Sequence, residues 1–232
     1  MSVPSILPQI SRARLSEGMV CNLDKPEGWT SFDVVNKLRF ASRVRKVGHA
    51  GTLDPFATGV LLICFGPATK KVEQLMQLDK EYLCVLELGK ATDTHDVAGQ
   101  VTATFAVPPL TQAEISRQTR RYTGEIWQTP PAYSALKRGG RRLYELARQG
   151  APLEVEPRRV TIYALEIVAM QLPEVTLQLS CSRGTYVRAL ARDLGRDLGC
   201  GAYVKSLRRM RIGEYKVEEG LSVQQFVERL ID

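Results

Sequence analysis

Apolar and polar positions along this chain follow two different periods, and the two kinds of stretch are mixed without a regular order. Residues 175–181 alternate strictly between apolar and polar, which predicts a half-buried strand. After Thr30 or Ser31, either of which would cap a helix, apolar residues recur three and four positions apart. The predicted strands cover residues 19–24, 59–65, 82–88, 160–167, 175–181 and 202–211. The predicted helices cover a segment after Thr30 and then residues 68–77, 111–121, 141–149, 185–198 and 222–230.

The order of these elements predicts the fold class. Several predicted strands follow one another directly, whereas a doubly wound parallel sheet would alternate strands with helices. We therefore expect an α+β fold with a mixed, largely antiparallel sheet flanked by helices. In the 68–77 helix the period turns Val72, Leu75 and Met76 inward. Residues 1–16 carry no such pattern, and we expect them to form a flexible lead.

The charge of the chain indicates a polyanionic partner. Its 32 Lys and Arg outnumber its 25 Asp and Glu, for a formal net charge of +7. The basic residues gather in residues 34–53, 117–148 and 183–216, beside polar motifs. Such clustering suggests contacts with phosphates, while a merely solubilising surface is the alternative for any single cluster.

Composition argues against several other classes. No apolar run reaches the roughly 18 residues that a membrane span needs, and no apolar core follows the N-terminal arginines as in a secretory signal. The five cysteines form no C-x-x-C pair, so we expect neither a disulfide framework nor, with two histidines, a zinc site. These features fit the reducing cytoplasm, where we expect the protein to reside.

Residues 125–151 differ in composition from their surroundings. They contain two adjacent prolines, two adjacent glycines and a dense set of basic residues. This composition predicts an excursion from the core that is loosely held alone and becomes ordered on binding a partner.

The stretch from Lys46 to Leu61 carries the most chemical information. Its glycines and Pro55 indicate an irregular loop that runs into the apolar residues 60–64. Pro55 restricts the backbone of Asp54 to extended conformations, and the neighbouring apolar run can partly desolvate the carboxylate. The pattern alone leaves two alternatives, a catalytic carboxylate or an aspartate that caps a backbone turn.

This stretch resembles the signature of the tRNA pseudouridine synthase B family, and the resemblance extends over nearly all of the chain. The motifs that carry it share their order with that family: Leu23-Asp24-Lys25-Pro26-Glu27-Gly28-Trp29-Thr30-Ser31, Asp79-Lys80-Glu81-Tyr82, Thr92-Asp93-Thr94-His95-Asp96, Pro131-Ala132-Tyr133-Ser134-Ala135-Leu136-Lys137, Cys181-Ser182-Arg183-Gly184-Thr185-Tyr186-Val187-Arg188 and Leu207-Arg208-Arg209. It implies a pseudouridine synthase fold over residues 17–232. It also implies isomerisation of uridine 55 in the T arm of tRNA to pseudouridine.

The resemblance also implies how the enzyme works and what it needs. It implies no cofactor and no metal, tRNA as the partner, and no obligatory protein partner, so we expect a monomer. The target uridine would be flipped out of the RNA. Family members usually continue into a small PUA-type RNA-binding domain, whereas this sequence stops at Asp232. We therefore expect the catalytic domain without that domain.

Three residues have catalytic roles by this resemblance. Asp54 would be the essential carboxylate. Arg188 would lie against it, keep it ionised and fix it by hydrogen bonds. Tyr82 would pack on the extruded base and is a candidate to take the proton from C5.

A second set would bind the substrate by the same resemblance, and Lys25 would brace the catalytic loop. The substrate-binding candidates are His49, Asp96, Lys137, Tyr186, Leu207, Arg208 and Arg209. Two alternative functions remain open. One is a relative that depends on a guide RNA, and the other is a non-catalytic module that binds or folds tRNA.

Overall fold

The computed structural model of the protein describes residues 9–134, 137–138, 141–142 and 155–232. Its strands are β1 Ile10–Ser11, β2 Val20–Lys25, β3 Val47–Ala50, β4 Thr58–Phe65, β5 Lys80–Leu88, β6 Lys90–Thr92, β7 Val101–Thr104, β8 Gly124–Gln128, β9 Lys137–Arg138, β10 Arg141–Arg142, β11 Arg158–Gln171, β12 Glu174–Cys181, β13 Ala202–Ile212, β14 Tyr215–Lys216, β15 Leu221–Ser222 and β16 Leu230–Ile231. Its α-helices are α1 Arg12–Gly18, α2 Ser31–Ser42, α3 Val72–Gln77, α4 Gln112–Thr119, α5 Val187–Asp197 and α6 Val223–Glu228.

The chain divides into two compact units. The first comprises Met1–Leu78 and Arg211–Asp232, and the second comprises Asp79–Met210. The first unit therefore takes both ends of the chain, and the second is inserted between them.

Strands of the first unit pair in the order β15–β2–β4–β3. β2 and β3 each run antiparallel to β4, and β15 runs parallel to β2. Helix α2 begins with a capping box in which Thr30 and Asp33 satisfy each other's backbone N–H groups. Its buried face carries Val34, Val35 and Leu38, as the sequence predicts.

The core of the first unit joins elements from both ends of the chain. The rings of Phe65 on β4 and Phe226 on α6 stack with centroids 5.5 Å apart and planes 5° from parallel. Leu15 of α1, which is fully buried, belongs to the same cluster. The flexible lead expected over residues 1–16 is therefore wrong from residue 10 onward. The helix α1 has seven residues, which is too short for its single buried leucine to produce a recognisable period.

Strands of the second unit pair in the order β13–β5–β12–β11–β8. The β5–β12, β12–β11 and β11–β8 pairs are all antiparallel. β5 alternates regularly between buried and half-buried residues, so Lys80, Tyr82 and Cys84 share its buried face. A hairpin of β6 and β7 and the helices α4 and α5 complete this unit.

The predicted α+β class and the largely antiparallel pairing are confirmed. Met76 is a wrong prediction, because its side chain is 44% exposed and only Leu75 of α3 is buried. Arg141 and Arg142, predicted to open a helix, form a strand with residues 137–138, and residues 143–149 of that prediction lie outside the described residues. The segment expected as an excursion from residue 125 shares its first residues with β8.

Other sequence expectations bear on chemistry. All five cysteines are buried and free. Within the described ranges, no helix is long and apolar enough to cross a bilayer. The same residues contain no group of three or more His, Cys, Asp or Glu side chains suited to a metal ion.

Phe226→Ala should lower the free energy of unfolding by about 3–5 kcal/mol, because it removes a fully buried ring and its stacking contact with Phe65. Met76→Ala serves as the control and should change stability by less than about 0.5 kcal/mol, since that side chain is exposed. Urea unfolding followed by circular dichroism measures both. Equal losses in the two variants would contradict the assignment of the core.

Candidate active site

Asp54 lies in a tight turn between β3 and β4. The amide of Ala57 donates to the carbonyl of Asp54 at 3.1 Å, which closes a β-turn with Pro55 at its second position. Gly51 opens this loop with a φ of +92°, a conformation that favours glycine. The Asp54 side chain is half-buried. The predicted irregular loop is thus confirmed over residues 51–57, whereas Val47–Ala50 is a strand that the sequence analysis missed.

The residue after Asp54 is held by a fully buried lysine. Lys25 is 0% exposed, and its Nζ donates to the carbonyls of Pro26 at 2.8 Å, Trp29 at 2.6 Å and Pro55 at 3.2 Å. The amide of Gly28 donates to the same Pro55 carbonyl at 2.8 Å. The carbonyl dipoles replace water around the ammonium group and tie the 25–29 turn to the Asp54 loop. This is the bracing role expected for Lys25.

The residue before Asp54 is held as well. Ser31, the first residue of α2, is 2% exposed. Its Oγ accepts from the amide of Leu53 at 2.9 Å and lies 3.2 Å from the carbonyl of the same residue. Asp54 therefore stands between two neighbours whose backbones are each fixed by buried side chains. Such fixation limits the directions in which its carboxylate can point.

His49 lies on β3, upstream of the Asp54 loop. It is half-buried, and in the register of the two strands it pairs with Ile63 of β4. The short strand fixes the histidine's backbone in the same unit as Asp54. A contact between His49 and RNA stays a prediction.

Arg188 lies in the first turn of α5 and is 4% exposed. Its Nη1 donates to the carbonyl of Thr94 at 3.0 Å and lies 3.3 Å from Oδ2 of Asp96. Its Nη2 donates to the carbonyl of Tyr133 at 2.9 Å. The guanidinium is thus anchored inside the second unit by one carboxylate and two carbonyls.

Asp96 is itself 4% exposed and belongs to the same network. Its Oδ1 accepts from Thr94 Oγ1 at 2.6 Å and from the amide of Ala98 at 3.0 Å. The family resemblance predicts Asp96 as a substrate contact and does not predict its ion pair with Arg188. No spacing rule links residues 92 positions apart, so the sequence held no signal for this pair. The pairing of Arg188 with Asp54 and the contact of Asp96 with a nucleotide stay predictions.

Tyr186 precedes α5 at the junction with β12, and its backbone is clamped by a residue that the sequence analysis overlooked. The side chain of Gln128, 2% exposed at the end of β8, donates to the Tyr186 carbonyl at 3.1 Å and accepts from its amide at 2.8 Å. Gly184, with a φ of +80°, makes the sharp turn just before. The only feature of the sequence that could have indicated this contact is the position of Gln128, shortly before two adjacent prolines.

Tyr82 and Lys80 lie on the buried face of β5 and are 8% and 7% exposed. Burial, and then the positive charge of Arg209, lower the pKa of Lys80 to about 8. Lys80 belongs to the Asp79–Tyr82 motif, and the family resemblance implies no role for it. A lysine with a lowered pKa beside a candidate catalytic tyrosine adds a further candidate to the site.

The remaining substrate-binding candidates divide by exposure. On β13, Leu207 is buried and Arg208 is half-buried. Arg209 is 1% exposed, and its contact with phosphate stays a prediction. Sequence adjacency placed it with Arg208, but neighbouring residues of a strand point to opposite faces. The side chain of Lys137 lies outside the described residues.

Two family profiles match the sequence of the chain. The TruB family pseudouridylate synthase N-terminal domain matches residues 39–187, and the tRNA pseudouridylate synthase B C-terminal domain matches residues 188–231. The chain belongs to the TruB family. The family resemblance drawn from the sequence motifs is therefore confirmed.

Curated relatives named tRNA pseudouridine synthase B are similar over most of the chain. The protein of Clostridium kluyveri is 46% identical over 88% of this chain and 71% of its own length. That of Phocaeicola vulgatus is 43% identical over 92% of this chain and 94% of its own length.

Solved structures share the fold. A chain in a Cbf5–Nop10–Gar1 complex superposes with a TM-score of 0.74 at 28% identity, and covers 98% of this chain and 60% of its own length. A chain in an H/ACA RNP bound to a substrate RNA containing 2′-deoxyuridine has a TM-score of 0.69 at 27% identity. The match covers 93% of this chain and 54% of the solved chain. The TruB-family chain thus spans little more than half of these solved chains.

Lys25→Met should lower the free energy of unfolding by about 2–4 kcal/mol, because three carbonyls lose their buried donor. The amide of Gly28, whose acceptor is then less fixed, should exchange with deuterium at least tenfold faster. Hydrogen exchange read by NMR measures this local effect, and urea unfolding measures the global one. Lys70→Met, at an exposed lysine, should leave both unchanged. Unaltered exchange at Gly28 in Lys25→Met would contradict the bracing role.

Proposed function

We propose that the protein is a tRNA pseudouridine-55 synthase in which Asp54 is the catalytic carboxylate. The observation that carries the proposal is the fixed, half-buried Asp54, whose two neighbours are pinned by Ser31 and Lys25. Membership of the TruB family, and 42–46% identity to proteins named tRNA pseudouridine synthase B, support the choice of substrate.

The reaction is an isomerisation that conserves every atom. The bond from ribose C1′ to uracil N1 breaks, the base turns, and a bond from C1′ to C5 forms. The proton on C5 is lost, and N1 gains one. A single carboxylate can open the glycosidic bond, and Tyr82 is the candidate to take the C5 proton. The carboxylate attacks C6 of the base or C1′ of the sugar, or it stabilises positive charge on the sugar during elimination to a glycal.

A uridine inside folded RNA must leave its stack before this chemistry can occur. An aromatic face compensates for part of the lost stacking, and Tyr82 is the residue we assign to that role. We assign Arg188 to the same reaction because its family motif matches. Its anchoring by Asp96 and two carbonyls keeps one fixed positive charge in place.

The basic residues account for the binding of tRNA in this proposal. Phosphates of the T arm would contact exposed arginines such as Arg183, and residues 125–151 would close over the loop. The reaction needs no other subunit, so the proposed species is a monomer that acts on tRNA in the cytoplasm.

Asp54→Asn should abolish turnover and leave RNA affinity within several-fold of the wild type, because the amide keeps the shape of the carboxylate but cannot perform its chemistry. Release of tritium from C5-labelled uridine in a T-arm hairpin measures turnover, and filter binding of the same hairpin measures affinity. The control Glu73→Gln removes an exposed carboxylate of the same unit and should leave turnover unchanged. Turnover at the wild-type rate in Asp54→Asn would refute the assignment.

A second function is favoured by one observation, the structural similarity to a chain of an H/ACA RNP. If this chain also depended on a guide RNA, purified protein alone would not modify the hairpin. We expect turnover without any guide or protein partner, because identity to the tRNA enzymes is 42–46% against 27% for that chain. Tight binding of the hairpin with no turnover at any guide RNA concentration would instead favour a non-catalytic tRNA-binding module.

A further inference from the structure

Four arginines and an exposed aromatic ring converge on a pocket away from the Asp54 loop. The pocket has a volume of about 480 Å³. It lies at the C-terminal end of α2, in the first unit, next to the start of α1. Its lining residues are Arg12, Arg39, Phe40, Ala41, Arg43, Val44 and Arg45. We call it the arginine pocket.

The charged lining residues of the arginine pocket are all arginines, and none of its lining residues is acidic. Arg12 forms an ion pair with Asp232, which is 91% exposed. Arg39 donates to Asn36 Oδ1 at 2.9 Å and to the carbonyl of Val47 at 3.3 Å, both neutral acceptors. Arg43 and Arg45 are exposed and form no ion pair with any residue that the structure describes. Like charges gathered in this way repel one another unless an anion joins them.

Two of these guanidinium groups also have unused donors. The Nε atoms of Arg12 and Arg39 are buried and have no hydrogen-bond partner among the described residues. A buried donor without an acceptor costs free energy, so an acceptor brought by a ligand would stabilise this arrangement. Guanidinium groups match phosphate oxygens with paired, parallel hydrogen bonds, which makes phosphate the best fitting anion.

Phe40 identifies the kind of phosphate compound. Its side chain is 85% exposed, the highest value among the large apolar side chains that the structure describes as exposed. An aromatic ring held among arginines is the arrangement by which proteins bind single-stranded nucleic acid. The base stacks on the ring, and the cations hold the backbone beside it.

The position of the arginine pocket suits a long RNA substrate. Ser31, at the start of α2, contacts Leu53 beside Asp54, and α2 ends at Ser42. Its 12 residues place the pocket about 18 Å along the helix axis from the Asp54 loop. An RNA engaged at Asp54 is several times longer than this, so one strand can reach both places.

We propose that the arginine pocket binds the backbone phosphate of an unpaired nucleotide of the RNA substrate, with its base stacked on Phe40. This proposal rests on the proposed function, since it adds a second contact for the RNA that Asp54 would modify. The occupant is RNA rather than a membrane surface or an acidic protein segment, because Phe40 supplies a stacking face that those two do not need.

The double variant Arg43→Ala/Arg45→Ala should weaken the binding of unmodified tRNA about tenfold. It should also reduce the slope of log affinity against log salt concentration by about 0.7–1.8, the value for one or two lost phosphate contacts. Phe40→Ala should weaken binding about tenfold with an unchanged slope, because stacking releases no counterions. Fluorescence anisotropy with labelled tRNA across a salt series measures all of these values.

Matched controls lie on the same helix outside the pocket. Lys37→Ala removes an exposed charge, and Phe32→Ala removes a ring that is 59% exposed, and each should change affinity less than twofold. Affinity losses in the controls equal to those in the pocket variants would overturn the proposal. So would wild-type affinity and slope in the double variant.

Two further arms separate this proposal from its alternatives. If the pocket variants lose binding to poly-glutamate or to phosphatidylserine vesicles while tRNA binding is unchanged, the occupant is not RNA and the proposal fails. Wild-type protein is assayed for tritium release on the same tRNA. Pocket-dependent affinity without turnover would refute the proposed function alone, and turnover with pocket-independent affinity would refute the arginine pocket alone.

Discussion

The fixed position of Asp54 depends on one buried ammonium group. Lys25 is fully buried, and the charge is stable there because three carbonyl dipoles surround it. One of these carbonyls belongs to Pro55, so solvation of the lysine and placement of the Asp54 loop are the same interaction. Ser31 adds the matching restraint on Leu53. A loop with several glycines would otherwise sample many conformations, and a catalytic carboxylate within it would rarely point in a productive direction.

The second unit uses a different solution for its buried charge. Arg188 and Asp96 are both nearly inaccessible, and such a pair gains little stability over apolar residues of the same size. The pair does fix direction, because the guanidinium must meet the Thr94 and Tyr133 carbonyls as well as the carboxylate. Burying these charges costs free energy, and what the pair gains in return is a fixed orientation of the Arg188 guanidinium. This favours a role for Arg188 in function over a role in stability alone.

Sequence patterns predicted the elements of regular structure better than the contacts of the site. The alternation of residues 175–181 and the face of α2 produced correct elements, because a period of two or 3.6 is a local property. The irregular loop around Asp54 was also predictable from Pro55 and its glycines. The ion pair of Arg188 with Asp96 and the clamp of Gln128 on Tyr186 join residues 92 and 58 positions apart. Only the folded chain brings such residues together, and no local period reports them.

The same distinction applies to charge. The net charge of +7 and the basic segments indicated a polyanionic partner, but they gave equal weight to every cation. The structure distinguishes these cations by burial. Lys25 and Arg188 are buried and orient the chain's own backbone and side chains. Lys80 and Arg209 are also buried, and burial and then the charge of Arg209 lower the pKa of Lys80. Others, among them Arg43 and Arg45 at the end of α2 and Arg183, are exposed. The buried cations are not accessible to an RNA backbone without rearrangement. A count of basic residues therefore overestimates the phosphate contacts available, and burial is the property that decides which of them can bind.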